Sequence, residues 1–314
     1  MMKMENKENL LSLIIPVYYN QFNLPDTIPT LVSVLSEMTQ FDYEIIFVDD
    51  GSGDDSLRLL LEYKQNNPNI KIIKLSKNFG SMAAIQAGLL FAKGDCVGMI
   101  SADLQDPPEL LVEMSDYWLK GNKAVFAIRQ NREDGIVNKL FSNLYYELIR
   151  KVAIPNYPNG GFDFFLIDRQ IVDEINKIQE KNTNLMTLIY WLGFKPIMIP
   201  YVRKKRAKGK SRWTLSKKMK LFVDTFVSFT FFPIRIFSVI GLLLALGAFL
   251  YGAYIFIYWL IFGISVKGYV PTMLIMTFTG GTQMAMLGIL GEYLWRTLDE
   301  ARNRPIFVID EIFD

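Results

Sequence analysis

Residues 233–263 and 270–295 are almost continuously apolar, and no other feature of this chain limits its fold so strongly. Each run exceeds the roughly 20 apolar residues that cross a bilayer as a helix. The first, "PIRIFSVIGLLLALGAFLYGAYIFIYWLIFG", carries one charge, Arg235, near its start. The second, "VPTMLIMTFTGGTQMAMLGILGEYLW", carries one acid, Glu292, near its end. About six residues separate them, so 233–295 is expected to be a transmembrane helical hairpin. Gly280-Gly281 and Gly288/Gly291 would let its helices pack closely.

Charge sets the expected orientation. From Arg203 to Lys220 the chain reads "RKKRAKGKSRWTLSKKMK", with ten lysines and arginines and no acid. Arg296, Arg302 and Arg304 follow the second run, whereas the loop holds only Lys267. Basic residues stay on the cytoplasmic side, so both ends of the hairpin are expected there, with the loop outside. Residues 203–232 then form a basic juxtamembrane loop and amphipathic segment facing anionic membrane lipids. Residues 296–314 form a cytoplasmic tail. The N-terminal "MMKMENKENL" has no apolar core of signal-peptide length, so residues 1–202 are expected in the cytoplasm, on a multi-pass protein of the inner membrane.

Those first 202 residues alternate strand and helix signals. "LLSLIIPVYY" (10–19), "YEIIFVDDGS" (43–52), "IKIIKLS" (70–76) and "DCVGMISAD" (95–103) are β-type runs, and 54–66 and 81–92 suit helices. The pattern predicts an α/β domain with a mainly parallel sheet and helical crossovers. Ligands of such sheets sit beyond the carboxyl ends of the strands. Asp49, Asp50, Ser101 and Asp103 fall at those ends. The chain has neither G-x-G-x-x-G after its first strand nor a P-loop, so a nucleotide would be bound by other means.

The absence of histidine removes Ser-His and Cys-His catalysis and His-bound zinc. The single cysteine, Cys96, lies in an apolar run and reads as a buried structural thiol. A metal here must be held by oxygen, which favours Mg²⁺ or Mn²⁺. In "ISADLQDPPEL" (100–110), Asp103 and Gln105 are two apart and would share one side of an extended segment. A carboxylate and an amide oxygen can hold such a cation while water and phosphates complete its shell.

With these motifs in place, the chain resembles the polyprenyl-phosphate glycosyltransferases. These are the dolichol-phosphate mannose synthase and bactoprenol glucosyltransferase type of the family-2 glycosyltransferases. "IIPVYYN", "EIIFVDDGSGDDS", "KNFGSMAAIQAGLLFAKGD", "ADLQDPPEL", "IRQNREDG", "GGFDFFLIDR" and "RAKGKSRW", followed by two spans, carry the resemblance. It implies a GT-A fold and inverting transfer from a nucleotide-sugar to a polyprenyl phosphate, undecaprenyl phosphate in a bacterial envelope, for glycan modification. By position, Pro16, Tyr18, Asp49, Asp50 and Ser101 would line the donor pocket, and Asp103 and Gln105 would hold Mg²⁺ or Mn²⁺. Arg129 and Arg132 would sit near the reacting phosphates. Arg203, Arg206, Ser211 and Arg212 would bind the acceptor phosphate, and Asp163 would lie close to the acceptor. Three departures bear on sugar and phosphate specificity: Tyr18-Tyr19-Asn20 lacks the usual Glu, Phe165 stands where Arg is frequent, and Ser101 replaces the first Asp of Asp-Ala-Asp.

The chemistry also holds together without the resemblance. A hydroxyl acceptor normally needs a base. A lipid monophosphate, with a second pKa near 6, is largely a dianion at neutrality and can attack unaided. The enzyme then supplies mainly charge, which arginine does well because its fork matches phosphate. Two alternatives stay open: a transferase acting on a glycan or glycolipid hydroxyl, with Asp163 as base, and a non-catalytic nucleotide-sugar-binding membrane protein. No nucleic-acid partner is expected, and a homo-oligomer stays open.

Overall fold

The computed structural model describes residues 9–130, 146–158, 161–204, 215–230, 232–262 and 268–314. Two compact units emerge, Met1–Thr225 with Pro305–Asp314, and Phe226–Arg304.

The first unit is built on an eight-stranded sheet: β1 Asn9–Val17, β2 Phe41–Asp49, β3 Ile70–Leu75, β4 Cys96–Met99, β5 Ala124–Arg129, β6 Phe162–Asp168, β7 Ile197–Tyr201 and β8 Ile309–Phe313. Helices α1 (Leu24–Glu37), α2 (Ser56–Gln65), α3 (Ser81–Phe91) and α4 (Leu110–Leu119) alternate with the first five strands, and α5 (Arg169–Lys177) and α6 (Leu185–Trp191) lie between β6 and β7. Helices cover both faces of such a sheet, which explains why its strands read as continuous apolar runs. Leu11, Leu13, Ile15 and Val17 join Leu24, Ile28, Leu31 and Leu35 of α1 in one core cluster. On the other face α3 packs tightly over β1: a Cβ on Gly88 would come 2.5 Å from Ile14 Cγ2.

The strand order is β7-β5-β6-β4-β1-β2-β3-β8. β1 pairs in parallel with β2 and β4, β2 with β3, and β5 with β7. β6 runs antiparallel to β4 and β5, and β8 antiparallel to β3. The carboxyl ends of β1, β2, β4, β5 and β7 therefore share one edge with the start of β6. The order reverses at β1, whose two neighbours are β2 and β4, the switch point where α/β sheets open a crevice.

β8 comes from the far end of the chain, within residues expected to be a tail. It pairs Ile72 with Phe313 and Ile73 with Ile312. Lys74 pairs with Asp310, and the buried Lys71 ammonium lies 3.1 Å from Asp314.

Helix α7 is Leu215–Phe229. The second unit contains the long helices α8 (Phe232–Phe262) and α9 (Tyr269–Ala301). Within α8, the 21 residues Ile234–Tyr254 have a mean hydropathy of 2.2, and Leu242, Leu246 and Phe249 are exposed. Among the described residues this is the one helix long and apolar enough to cross a bilayer. The expected second span is also helical, within α9, but its Gly, Thr and Gln residues leave it less apolar.

Candidate active site

The loops after β1 and β2 interlock at the switch point. Tyr19 adopts a left-handed backbone, φ 56°, and its N–H donates to Ser52 Oγ at 3.0 Å. Tyr18 N–H donates to Asn20 Oδ1 at 2.9 Å, and Asn20 N–H to Ser56 Oγ at 2.9 Å. Val17 and Asp49 are register partners, so parallel pairing sets Pro16 and Tyr18 beside the Asp49–Asp50 pair.

The two aspartates are both buried but differ in their partners. Asp49 accepts from Ser52 N–H, at 3.4 and 3.3 Å to its two oxygens, and burial pushes its carboxyl above the ordinary range. Asp50 accepts from Phe79 N–H at 2.7 Å and Gly80 N–H at 2.9 Å, one with each oxygen. It thus anchors the loop that opens α3, where a helix N-terminus favours a carboxylate. Gly51, at φ +69°, lets the chain turn there; a Cβ would sit 2.7 Å from Lys77 C.

Beyond β4 the chain makes a turn rather than an extended segment. Leu104 is left-handed, φ 51°, a conformation costly for a residue with a branched side chain and common at functional sites. The two-residue spacing that was expected to put Asp103 and Gln105 on one side of a strand does not apply. Here the Gln105 N–H points back to Asp103 Oδ1 at 3.3 Å. The Gln105 side chain donates through Nε2 to Lys204 O at 3.1 Å, and Gln105 O accepts from Lys204 N–H at 2.9 Å. The segment after β7 is thereby clamped to the turn after β4.

Asp106, in the same turn, is only 1% exposed. Its Oδ2 lies 2.9 Å from Ser101 Oγ, and its Oδ1 accepts the Tyr201 hydroxyl and lies 3.2 Å from Arg203 Nε. The Arg203 N–H is not aimed along that contact, so it is an ion pair rather than a hydrogen bond. Ser101 Oγ is also 2.8 Å from Asp103 Oδ1. A hydroxyl has one proton, so Ser101 can donate to only one of the two carboxylates at a time.

Arg129 and Tyr201 are register partners on β5 and β7. Arg129 Nε donates to the Tyr201 hydroxyl at 3.3 Å, and Nη2 pairs with Asp163 at the start of β6. Burial opposes the charge on Arg129, but Asp163, Tyr201 and Asp106 outweigh it and raise its pKa. Burial, then Asp106, raises that of Tyr201 as well.

One sheet edge thus gathers Pro16, Tyr18, Asp49, Asp50, Ser101, Asp103, Gln105, Arg129, Asp163 and Arg203. Arg132, Arg206, Ser211 and Arg212 lie outside the described residues. Sequence reasoning passed over Asp106 and Tyr201. Their signals were a carboxylate directly before Pro107-Pro108 and a tyrosine two residues ahead of the basic run. Cys96 is fully buried, and burial pushes its thiol pKa well up, as an inert structural thiol requires. Phe165 is also fully buried, within β6.

Among the described residues no three Cys, Asp or Glu side chains converge as a metal cage. The donors present are the Asp103 carboxylate and the Gln105 amide, whose Nε2 faces Lys204 O and leaves Oε1 as the acceptor. Such a sparse, hard set fits Mg²⁺ or Mn²⁺ completed by water and phosphate, and not a metal held by protein alone.

The mostly parallel mixed sheet with its helices is of GT-A type, and comparison with known proteins shows the family. The pattern of glycosyl transferase family 2 matches residues 12–176, and that of the GtrB C-terminal hairpin matches residues 232–296. The chain belongs to glycosyl transferase family 2. It is 35% identical over 304 residues to the uncharacterized glycosyltransferase YkcC of Bacillus subtilis, covering 96% of this chain and 94% of that one. It is 33% identical over 300 residues to the bactoprenol glucosyl transferase of Shigella phage SfII, covering 95% and 97%. Among solved structures it is similar to a mannosyltransferase from Pyrobaculum calidifontis, with TM-score 0.45 and 15% identity over 64% of this chain and 58% of that one.

Proposed function

We propose that this glycosyltransferase moves a sugar, with inversion, from a nucleotide-sugar to a membrane polyprenyl phosphate. The observation that carries this reading is the edge itself. Asp49 and Asp50 lie buried at the end of β2, while beyond β4 and β5 buried Asp106 meets Arg203 and Arg129 pairs with Asp163, in a chain that also contains a membrane-length apolar helix. Full-length similarity to bactoprenol glucosyl transferases supports the lipid acceptor.

The acceptor dianion carries its own nucleophile. One phosphate oxygen bonds to the anomeric carbon from the face opposite the leaving group, the bond from that carbon to the nucleoside diphosphate breaks, and the diphosphate departs with the electron pair. No proton need be removed first, which suits a chain without histidine whose Asp163 is already paired with Arg129. Arg129 and Arg203, with the basic residues that follow, reduce the repulsion between two anions brought together. Asp103 and Gln105 would hold Mg²⁺ or Mn²⁺, which when bound supplies positive charge to the diphosphate. Asp49 and the interlocked 17–20 and 50–53 loops would hold the nucleoside.

Chain connectivity supports the topology. Residues on either side of Phe226–Arg304 belong to one compact unit, closed by pairing of β8 with β3. A folded domain cannot lie on both sides of a bilayer, so α8 and α9 together make an even number of crossings, with the catalytic unit on the cytoplasmic side favoured by charge.

The test is to supply the purified full chain with undecaprenyl phosphate and a panel of labelled nucleotide-sugars. Label should enter the organic phase as an acid-labile lipid monophosphate sugar. The same assay on membranes includes the glycan acceptors, and label found there only in glycan, with none in lipid monophosphate from either preparation, would refute the reading.

A further inference from the structure

We propose that Asp106 is a positioning residue for the acceptor-phosphate side of the site, holding Arg203 directly and Arg129 through the Tyr201 hydroxyl. This rests on the reading of Arg129 and Arg203 as phosphate-binding groups.

A carboxylate 1% exposed must be compensated by its neighbours. Asp106 has three: the Ser101 hydroxyl, the Tyr201 hydroxyl and the Arg203 guanidinium. They come from two segments about a hundred residues apart, and each belongs to, or touches, a group with a proposed role. Ser101 also touches Asp103, and Tyr201 also receives Arg129 Nε. Asp106 is therefore the shared node between the turn after β4 and the start of the basic segment.

The mode of contact matters. Arginine has five N–H donors arranged as a fork. Arg129 uses Nε on Tyr201 and one terminal nitrogen on Asp163, and Arg203 approaches Asp106 through Nε. A guanidinium held at Nε keeps terminal nitrogens for a phosphate, so Asp106 can orient both forks without competing for all their donors. The backbone clamp between Gln105 and Lys204 fixes the same junction one residue along on each segment.

The test uses the full chain, with Asp106→Asn and Tyr201→Phe. Asparagine keeps an acceptor for Tyr201 but loses the charge facing Arg203; phenylalanine removes the hydroxyl shared with Arg129 and is the milder change should Asp106→Asn fold poorly. Kinetics with donor and acceptor varied separately are paired with titration of a short-chain polyprenyl phosphate in EDTA. Each variant should raise KM and Kd for the lipid phosphate about tenfold, the factor for losing one charge-assisted contact, and leave donor KM within about twofold. The double variant should be little worse than the worse single, because both cut one chain of contacts. Unchanged acceptor values, additive losses, or equal loss of donor and acceptor affinity with a lower melting midpoint would each overturn the role. If the wild-type chain itself neither binds lipid phosphate nor makes lipid-linked sugar, the functional reading falls and this role with it. An active wild type with unaffected variants overturns the role alone.

Discussion

Replacing Asp50 with asparagine tests how the donor-side loops are held. Asp50 is 3% exposed and meets Phe79 N–H and Gly80 N–H with one oxygen each, at 2.7 and 2.9 Å. Asparagine is nearly the same size but has one acceptor and one donor where the native side chain has two acceptors. One backbone N–H would then face an NH₂ group. The loss combines a hydrogen bond to a charged group, about 1.5–3 kcal/mol, with a buried donor left unsatisfied, about 1–3 kcal/mol. The two overlap, so a net cost of about 2–4 kcal/mol is expected. A domain of 150–250 residues loses about 2–4 °C per kcal/mol, which puts the fall in melting midpoint at roughly 4–16 °C. Differential scanning calorimetry of the purified chain measures it, and titration with UDP and GDP measures the accompanying loss of donor affinity. A midpoint within about 1 °C of wild type would show that the 77–80 loop does not depend on Asp50.

Three further outcomes are expected. Asp103→Ala should abolish metal-dependent transfer, whereas Ser101→Ala should weaken it only about tenfold, the lower end for one hydrogen bond to a charged group; equal turnover with and without Asp103 would remove the basis for its role. Because burial raises the Asp49 carboxyl, the folded chain binds its proton more tightly than the unfolded one. Its contribution is present below the unfolded value and lost as pH rises through the folded one. The wild type should therefore gain stability relative to Asp49→Asn as pH is lowered across that window in urea unfolding, and a constant difference would contradict this. Truncation before Pro305 removes β8, opens the β3 edge and strips buried Lys71 of Asp314, so the melting midpoint should drop; adding Lys71→Met should recover part of the loss. No recovery would mean that the edge, not the charge, dominates.

Much of the first unit is legible from local pattern. The runs at 10–19, 43–52, 70–76 and 95–103 correspond to β1–β4, and the segments 54–66 and 81–92 to α2 and α3. A strand buried on both faces shows itself as an unbroken apolar run, whatever its partners. β8, "IDEIF", shows no such signal: it covers an edge, carries two acids, and pairs with residues more than two hundred positions earlier. The antiparallel direction of β6 is equally silent in sequence, yet it brings Asp163 to Arg129.

The sequence by itself determined the membrane-length apolar helix, the basic segment before it, the acid-ended strands and the exclusion of histidine chemistry. These depend on composition and on periodicities within one segment. Only the tertiary structure decided that Leu104 turns left-handed, that Asp50 spends both oxygens on backbone N–H groups, and that Asp106 joins Ser101, Tyr201 and Arg203. Those contacts join residues up to about a hundred positions apart, and only the strand order and direction bring them within hydrogen-bond reach. Hydrogen bonds and ion pairs are short-ranged, so a side chain's partners follow from where the sheet places it and not from its neighbours in sequence.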